Sequence, residues 1–237
     1  MEKKLRVVFA TNNENKMKEF RHILRGLDID VYSMSDLGIN IEIEENGNSY
    51  EENSKIKVLA LSDELYRKGD NTPTIIVADD SGIEIDALNG EPGIYSARYL
   101  GEDVSYEDKC SYILRQMTGI PEELRECHYT CCISFKFPGS RKITQKKRYW
   151  HGTIGTTMRG TNGFAYDSIM IPNKFNDDNL TVAEMCDSLK NTISHRAKAL
   201  SVARKAIEAY INYYTISMVK LNTWNSKNVY KKIKGEE

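Results

Sequence analysis

The spacing of apolar residues changes period along this chain, and each change marks an element. Leu5 to Ala10 is a short run rich in β-branched and aromatic residues and reads as a buried strand. A polar loop, Thr11 to Lys16, separates it from Met17, Phe20, Ile23, Leu24 and Leu27, which recur at helical spacing. A second strand is expected near Ile29 to Ser33. A second helix is expected to open on the capping pattern Ser49-x-x-Glu52 and to close near Gly69. Ile75 to Ala78 reads as another buried strand; it ends on Asp79, Asp80, Ser81 and a Gly82 that breaks it.

Asn89 to Gly93 must then turn sharply, and a helix is expected over Ser105 to Met117, with Tyr112, Ile113 and Met117 facing the core. Residues 128–137 and 143–156 alternate as antiparallel strands joined near Pro138-Gly139. A loop with a short strand follows over 160–172, and Thr181-x-x-Glu184 opens a short helix. Ser194 caps a long final helix, in which Leu200, Ala203, Ile207, Ile211 and Tyr214 share one face. Strand, polar loop and helix in that order at the start are the mark of an α/β layer protein. From Met218 the pattern fades, so the chain divides into one domain over 1–215 and a polar, basic tail over 216–237, expected to be solvated and disordered. There is no internal repeat and no linker between domains.

Composition narrows the class of function. The chain has 237 residues, enough for one substantial core, and 33 basic against 34 acidic side chains. With no global field, neither nucleic acid nor an anionic membrane is an expected partner. Charge is nevertheless clustered: 42–52 holds five carboxylates and no base, and 140–150 holds five bases and no acid. That basic segment reads as a protected sheet edge rather than an RNA site. No apolar run approaches membrane length, and the first is too short for a signal segment. Five cysteines without a secreted-framework spacing point to a reducing, cytoplasmic setting. Cys127, His128, Cys131 and Cys132 lie close in sequence, but 131 and 132 would face opposite sides of a strand, which disfavours zinc and favours buried thiols.

Chemistry concentrates at five places. Asp79 and Asp80 are adjacent carboxylates at a strand end, where open α/β sheets bind ligands; their repulsion asks for a cation nearby. The plain alternative is a turn with two solvated acids. Thr11, Asn12, Asn13, Glu14, Asn15 and Lys16 follow a strand and open a helix, offering backbone N–H groups, a helix dipole and a lysine to phosphate oxygens, or else forming an ordinary cap. No Walker A pattern is present. Asn53 and Lys57 share a helix face, so Lys57 could add a second cation. Glu44 and Glu45 precede that helix and could join Asp80 in holding a hard cation such as Mg²⁺. Phe164, Ala165, Tyr166 and Asp167 follow Gly163, so a planar base could stack on Phe164. Finally, Lys190, His195 and Arg196 put donors around a helix N-terminus; the plain alternative is a capping and solvated role, but positive charge there opposes the dipole and so hints at a role beyond stability.

Together these segments resemble the inosine triphosphate pyrophosphatase (Ham1-like) family. Thr11-Asn12-Asn13-x-x-Lys16, Ala78 to Gly82, Pro92 to Tyr99, Gly163 to Asp167 and Ser194-His195-Arg196 occur in the family's order, and the resemblance spans residues 5 to 212. It implies a mixed central sheet flanked by helices, with two lobes around a deep cleft, a fold shared with Maf-like proteins. It implies a homodimer that hydrolyses ITP, dITP and XTP to the monophosphate and pyrophosphate with Mg²⁺. Carried over by position, Asp80 resembles the catalytic carboxylate and a metal ligand, and Glu44 the second metal carboxylate. Thr11 to Lys16 and Lys57 resemble the phosphate cradle. Ser81, Phe164 to Asp167, Lys190, His195 and Arg196 resemble the nucleotide contacts. Two departures touch the expected base pocket: Ala165 stands where the family has Gly, and Ser168 where it has Pro.

Two other readings are compatible with parts of the chain. One is a Maf-like pyrophosphatase of modified or pyrimidine nucleotides, against which the Ser-His-Arg and Gly-Phe-x-Tyr-Asp segments speak. The other is a non-catalytic nucleotide- or RNA-binding adaptor, against which Lys16, Asp80, His195 and Arg196 speak.

Overall fold

One strand organises the molecule. In the computed structural model, which describes residues 4–234 and side chains through residue 220, β3 (Thr74–Ile85) runs through the middle of a six-stranded sheet of order β2-β1-β3-β4-β5-β6. On one side lie β1 (Arg6–Phe9) and β2 (Asp30–Ser33), both parallel; on the other lie β4 (Glu126–Lys136), β5 (Ile143–Ile154) and the short β6 (Met170–Pro172), all antiparallel. The sheet is therefore mixed, as expected.

The helices are α1 (Glu14–Ile23), α2 (Tyr50–Arg67), α3 (Tyr106–Gln116), α4 (Asp187–Ile193) and α5 (His195–Lys234). Each long one buries the stripe its sequence announced. Met17, Phe20 and Leu24 of the α1 region join Leu200, Ala203 and Ile207 of α5 against Val7, Phe9, Ile75 and Val77 of the sheet. Val58, Leu61 and Leu65 of α2 cover Val8, Ile76 and Ala78 on the opposite face. The second half of β3 belongs to another core, in which Ile83 and Ile85 meet Ile113 and Met117 of the α3 region, Tyr129, Trp150 and Tyr166. These cores form two lobes, and Asp79 and Asp80 fall at their junction.

Several expectations need correction here. Gly82 does not end the strand: β3 continues through it to Ile85, paired with β4 by Gly82↔Thr130 and Ile85↔Cys127. The glycine serves close approach instead, since a Cβ there would lie 2.2 Å from the Gly93 carbonyl oxygen. What ends at this point is the pairing with β1, whose last partner is Val77 (Phe9↔Val77). The capping box at α2 is half made: Ser49 accepts from the Glu52 amide, but Glu52 accepts from Asn48 N rather than Ser49 N. Lys190 sits on a helix of its own, α4, which the sequence pattern did not predict. The tail expected over 216–237 continues α5 as far as Lys234; its side chains beyond 220, and residues 235–237 entirely, lie outside the described residues. Among the described residues, no helix is long and apolar enough to cross a membrane. The thiols of Cys127, Cys131 and Cys132 are free and buried, with Cys131 in one core and Cys132 against Ser54 on the other face.

Candidate active site

A cleft of about 170 Å³ opens between the lobes. Its floor is β3, and strand pleating decides what each carboxylate there does. Asp79 and Asp80 point to opposite faces, so each is bonded directly by different cations, although Lys16 and Lys57 act electrostatically on both. Asp79 accepts from Lys16 Nζ at 3.0 Å, Arg196 Nε at 3.3 Å and Ser81 Oγ at 2.9 Å. Burial alone would raise its carboxyl, but Lys16, Arg196 and Lys57 outweigh that and hold it well below the usual carboxylate range. Asp80 accepts from Asn53 Nδ2 at 3.2 Å, Lys57 Nζ at 3.4 Å and its neighbour's amide, Ser81 N, at 3.1 Å. Burial and the nearby Glu45 carboxylate push Asp80 up, against the pull of Lys57. Asp80 is thus the more basic of two adjacent carboxylates.

The second carboxylate facing Asp80 is Glu45. Its Oε2 lies 2.8 Å from Lys57 Nζ, which also contacts Asp80, and Glu45 lines the cleft. Glu44 is exposed and does not line it, which corrects the expectation placed on Glu44. The side chains of this extended segment alternate, and Asn53 fixes the phase by accepting from Gly47 N at 2.9 Å while donating to Asp80. Glu45 and Asp80, drawn round one lysine, form an all-oxygen donor pair that fits a small hard cation. Among the described residues, no cluster of three or more His, Cys, Asp or Glu side chains is placed to hold a metal.

The polar loop after β1 divides its labour. Asn13 caps α1 by accepting from Lys16 N at 3.1 Å, and Asn13 and Lys16 line the cleft. Thr11 braces the turn through Asn13 N, and the Asn12 side chain is turned away to Ser35 N. Glu14 is exposed, and Asn15 faces a separate groove with Lys18 and Arg21. The loop thus brings a lysine and a helix N-terminus to the cleft, while the remaining side chains shape it.

The far end of the cleft is built around Asp167, which is buried. It accepts from Lys190 Nζ at 2.8 Å, the Phe164 amide at 2.9 Å and the Tyr129 hydroxyl at 3.1 Å. This compact turn needs Gly163, where an added Cβ would lie 2.2 Å from Asp167 Oδ2. The ring of Phe164 lies 4.4 Å from Lys190 Nζ. Tyr166 lines the cleft, packs in the core of Ile83 and Ile113, and donates to Ser96 O at 2.7 Å. His195 stacks on Tyr129 with centroids 4.6 Å apart, and its Nδ1 has no partner among the described residues. Burial, with Arg196 and Lys190 beside it, keeps this imidazole neutral. Arg196 opposes the dipole of α5 at no net electrostatic loss, because Glu19 at 2.6 Å and Asp79 balance it. Glu19, which also pairs with Lys190 at 3.1 Å, escaped the sequence reading; its place three residues after Lys16 on one helix face was the available signal.

The two departures separate. Ala165 lines the cleft and adopts φ 58°, a left-handed conformation that costs an L-residue with a Cβ about 1–2 kcal/mol. Ser168 does not face the cleft; its Oγ lies 3.8 Å from Cys110 Sγ. Ala165→Gly should therefore stabilise the protein by up to about 1 kcal/mol after the entropy of the freer unfolded chain is subtracted. Urea denaturation checks this, and a lower midpoint for the variant is the contrary result.

The profile of the Ham1 family matches residues 7–206. The chain belongs to the Ham1 family. It is similar to proteins called dITP/XTP pyrophosphatase from Bacillus licheniformis (39% identical over 194 residues, covering 82% of this chain and 93% of the relative) and Bacillus subtilis strain 168 (38% over 202 residues, 85% and 96%). Among solved structures, the Ham1 protein of Staphylococcus aureus aligns with a TM-score of 0.73 at 34% identity, over 87% of this chain and all (100%) of that one. A HAM1 protein from Coxiella burnetii aligns at 0.74 and 29%, over 86% and 98%. As in those Ham1 relatives, the fold is a mixed sheet with flanking helices.

Proposed function

We propose that this Ham1-family chain is a nucleoside triphosphate pyrophosphatase that hydrolyses noncanonical purine nucleotides, ITP, dITP and XTP, to the monophosphate and pyrophosphate. The observation that carries it is a single cleft with a basic, buried carboxylate between lysines at one end and a neutral, unpartnered imidazole beside an aromatic face at the other. Chains of similar sequence bear the matching name. Asp80 and Glu45 would hold Mg²⁺, which when bound would neutralise charge on the phosphate oxygens.

The chain's own groups carry the rest. Asp80, with its raised proton affinity, accepts a proton from the attacking water. Lys16 and Lys57 place positive charge where the pyrophosphate leaves, and the N-terminus of α1 adds its dipole. Phe164 gives the purine a stacking face. Lys190 and Arg196 are obligate donors, so a 6-oxo group is welcome between them and His195, whereas adenine's 6-amino group would meet donors and stay unpaired. A buried site of this kind rejects the wrong partner by several orders of magnitude. A cytoplasmic homodimer belongs to the same reading.

The test is steady-state kinetics of pyrophosphate release with Mg²⁺ on ITP, dITP, XTP, ATP, GTP, UTP and dTTP, with light scattering of the same sample for the dimer. ITP, dITP or XTP should exceed ATP in kcat/KM by about 10³-fold or more. A preference for UTP or dTTP would return the chain to the Maf-like reading.

A further inference from the structure

Five basic side chains line the cleft, and four of them are spoken for. Lys16 is 3.0 Å from Asp79, Lys57 is 2.8 Å from Glu45, Lys190 is 2.8 Å from Asp167, and Arg196 is 2.6 Å from Glu19. The fifth is Arg98. Its guanidinium makes one hydrogen bond among the described residues, from Nη2 to the backbone carbonyl of Glu45 at 3.1 Å, and it pairs with no carboxylate. A guanidinium has five N–H donors, so most of this one's capacity is unspent.

Arg98 is also held firmly. Its Cζ lies 4.9 Å above the ring of Tyr95, and its own amide donates to Tyr95 O. The short 3₁₀ turn Gly93–Tyr95 beneath it is pinned to β3: Ser96 Oγ donates to Gly93 O at 2.6 Å and accepts from Ile83 N at 3.0 Å. Gly82 lets that turn sit directly on the strand. A guanidinium with no carboxylate partner among the described residues thus lines the same cleft as Lys16, on a turn separate from the helix that carries Lys57.

We propose that Arg98 binds the phosphate chain of the substrate while keeping its bond to the Glu45 carbonyl, so that a bound triphosphate fixes the loop bearing the Glu45 carboxylate. This deepens the functional reading above and rests on it for the identity of the triphosphate. A lysine in an ion pair must exchange a carboxylate for a phosphate, so its attraction is partly cancelled. Arg98 breaks no ion pair, and its planar fork matches two phosphate oxygens at once. Phosphate recognition and placement of Glu45 then meet in one residue, a positioning role for the second metal carboxylate as well as a binding one.

The probes are inorganic tripolyphosphate and inosine, titrated calorimetrically into wild type, Arg98→Gln and Arg98→Lys without metal. Arg98→Gln should weaken tripolyphosphate by about 10- to 100-fold and leave inosine unchanged, with Arg98→Lys recovering part of the loss. In turnover of ITP, both variants should need more Mg²⁺ for half-maximal rate, because neither keeps the guanidinium bond to Glu45. Tripolyphosphate binding by Arg98→Gln equal to wild type overturns the proposal. So does an equal loss of inosine, which would mark a general structural defect. A wild type that binds tripolyphosphate through Arg98 yet does not turn over ITP supports the assignment and overturns the functional reading instead.

Discussion

Asp80→Asn is expected to cut turnover of the preferred nucleotide by about 10²–10⁴-fold while leaving the protein at least as stable as wild type. The two halves of that result have one cause. Burial and Glu45 raise the Asp80 carboxyl above its ordinary 3.8, so ionising it is harder in the folded chain than in the unfolded one. A raised carboxyl favours the folded state only where it stays protonated, and that advantage is lost as pH rises through the folded value. At neutral pH the Asp80 charge is therefore a net cost, and the isosteric amide removes it. Rates and chemical denaturation of both proteins at pH 7 check the pair of effects. Retained activity would remove Asp80 from the mechanism, and a clear loss of stability would contradict the electrostatic account.

Asp79→Asn should behave in the opposite way, destabilising the fold by about 3–5 kcal/mol, because it removes the shared partner of buried Arg196 and of Lys16. Here the folded carboxyl lies below its ordinary 3.8, so its contribution is present above that value and lost as pH falls through the folded one. The gap between wild type and variant should hold from pH 8 to about 5 and close in acid. Denaturant titrations at several pH values measure it; a gap under about 1 kcal/mol at pH 7 would mean the cluster reorganises around Glu19.

The contrast between these two neighbours marks how far the sequence could be read. Apolar spacing was enough for β1, α1, the β4–β5 pair and the body of α5, because each buries one face against the sheet and so carries the period of its own geometry, while caps and a closing glycine marked α2 and the start of α5. It failed at Gly82, where a glycine that usually breaks a strand instead admits a carbonyl from the turn at Gly93. It also missed α4, whose seven residues are too few to show a helical period, although Ser194 was placed correctly at the start of α5. In the site, charge type alone left Lys16, Lys57, Asp80, Lys190, His195 and Arg196 as candidates with ordinary alternatives; the ordered resemblance to the Ham1 family singled them out, and all of them line the cleft. The choice of Glu45 over Glu44 was not legible, because it depends on the phase of an extended segment set by Asn53. Arg98 was hidden for a similar reason: only three-dimensional pairing shows which of several cations lacks a carboxylate.

The mid-strand location of the carboxylates has a thermodynamic consequence. Sites assembled on loops sample open forms well below the unfolding temperature, but Asp80 is paired with Cys132 in the middle of the long β3–β4 ladder. Its backbone belongs to the portion of the molecule that opens only with the whole. The reacting carboxylate and the cooperative folding unit are the same piece of chain, so adjustments to the incoming nucleotide fall to the surrounding walls, while the floor stays as fixed as the fold itself.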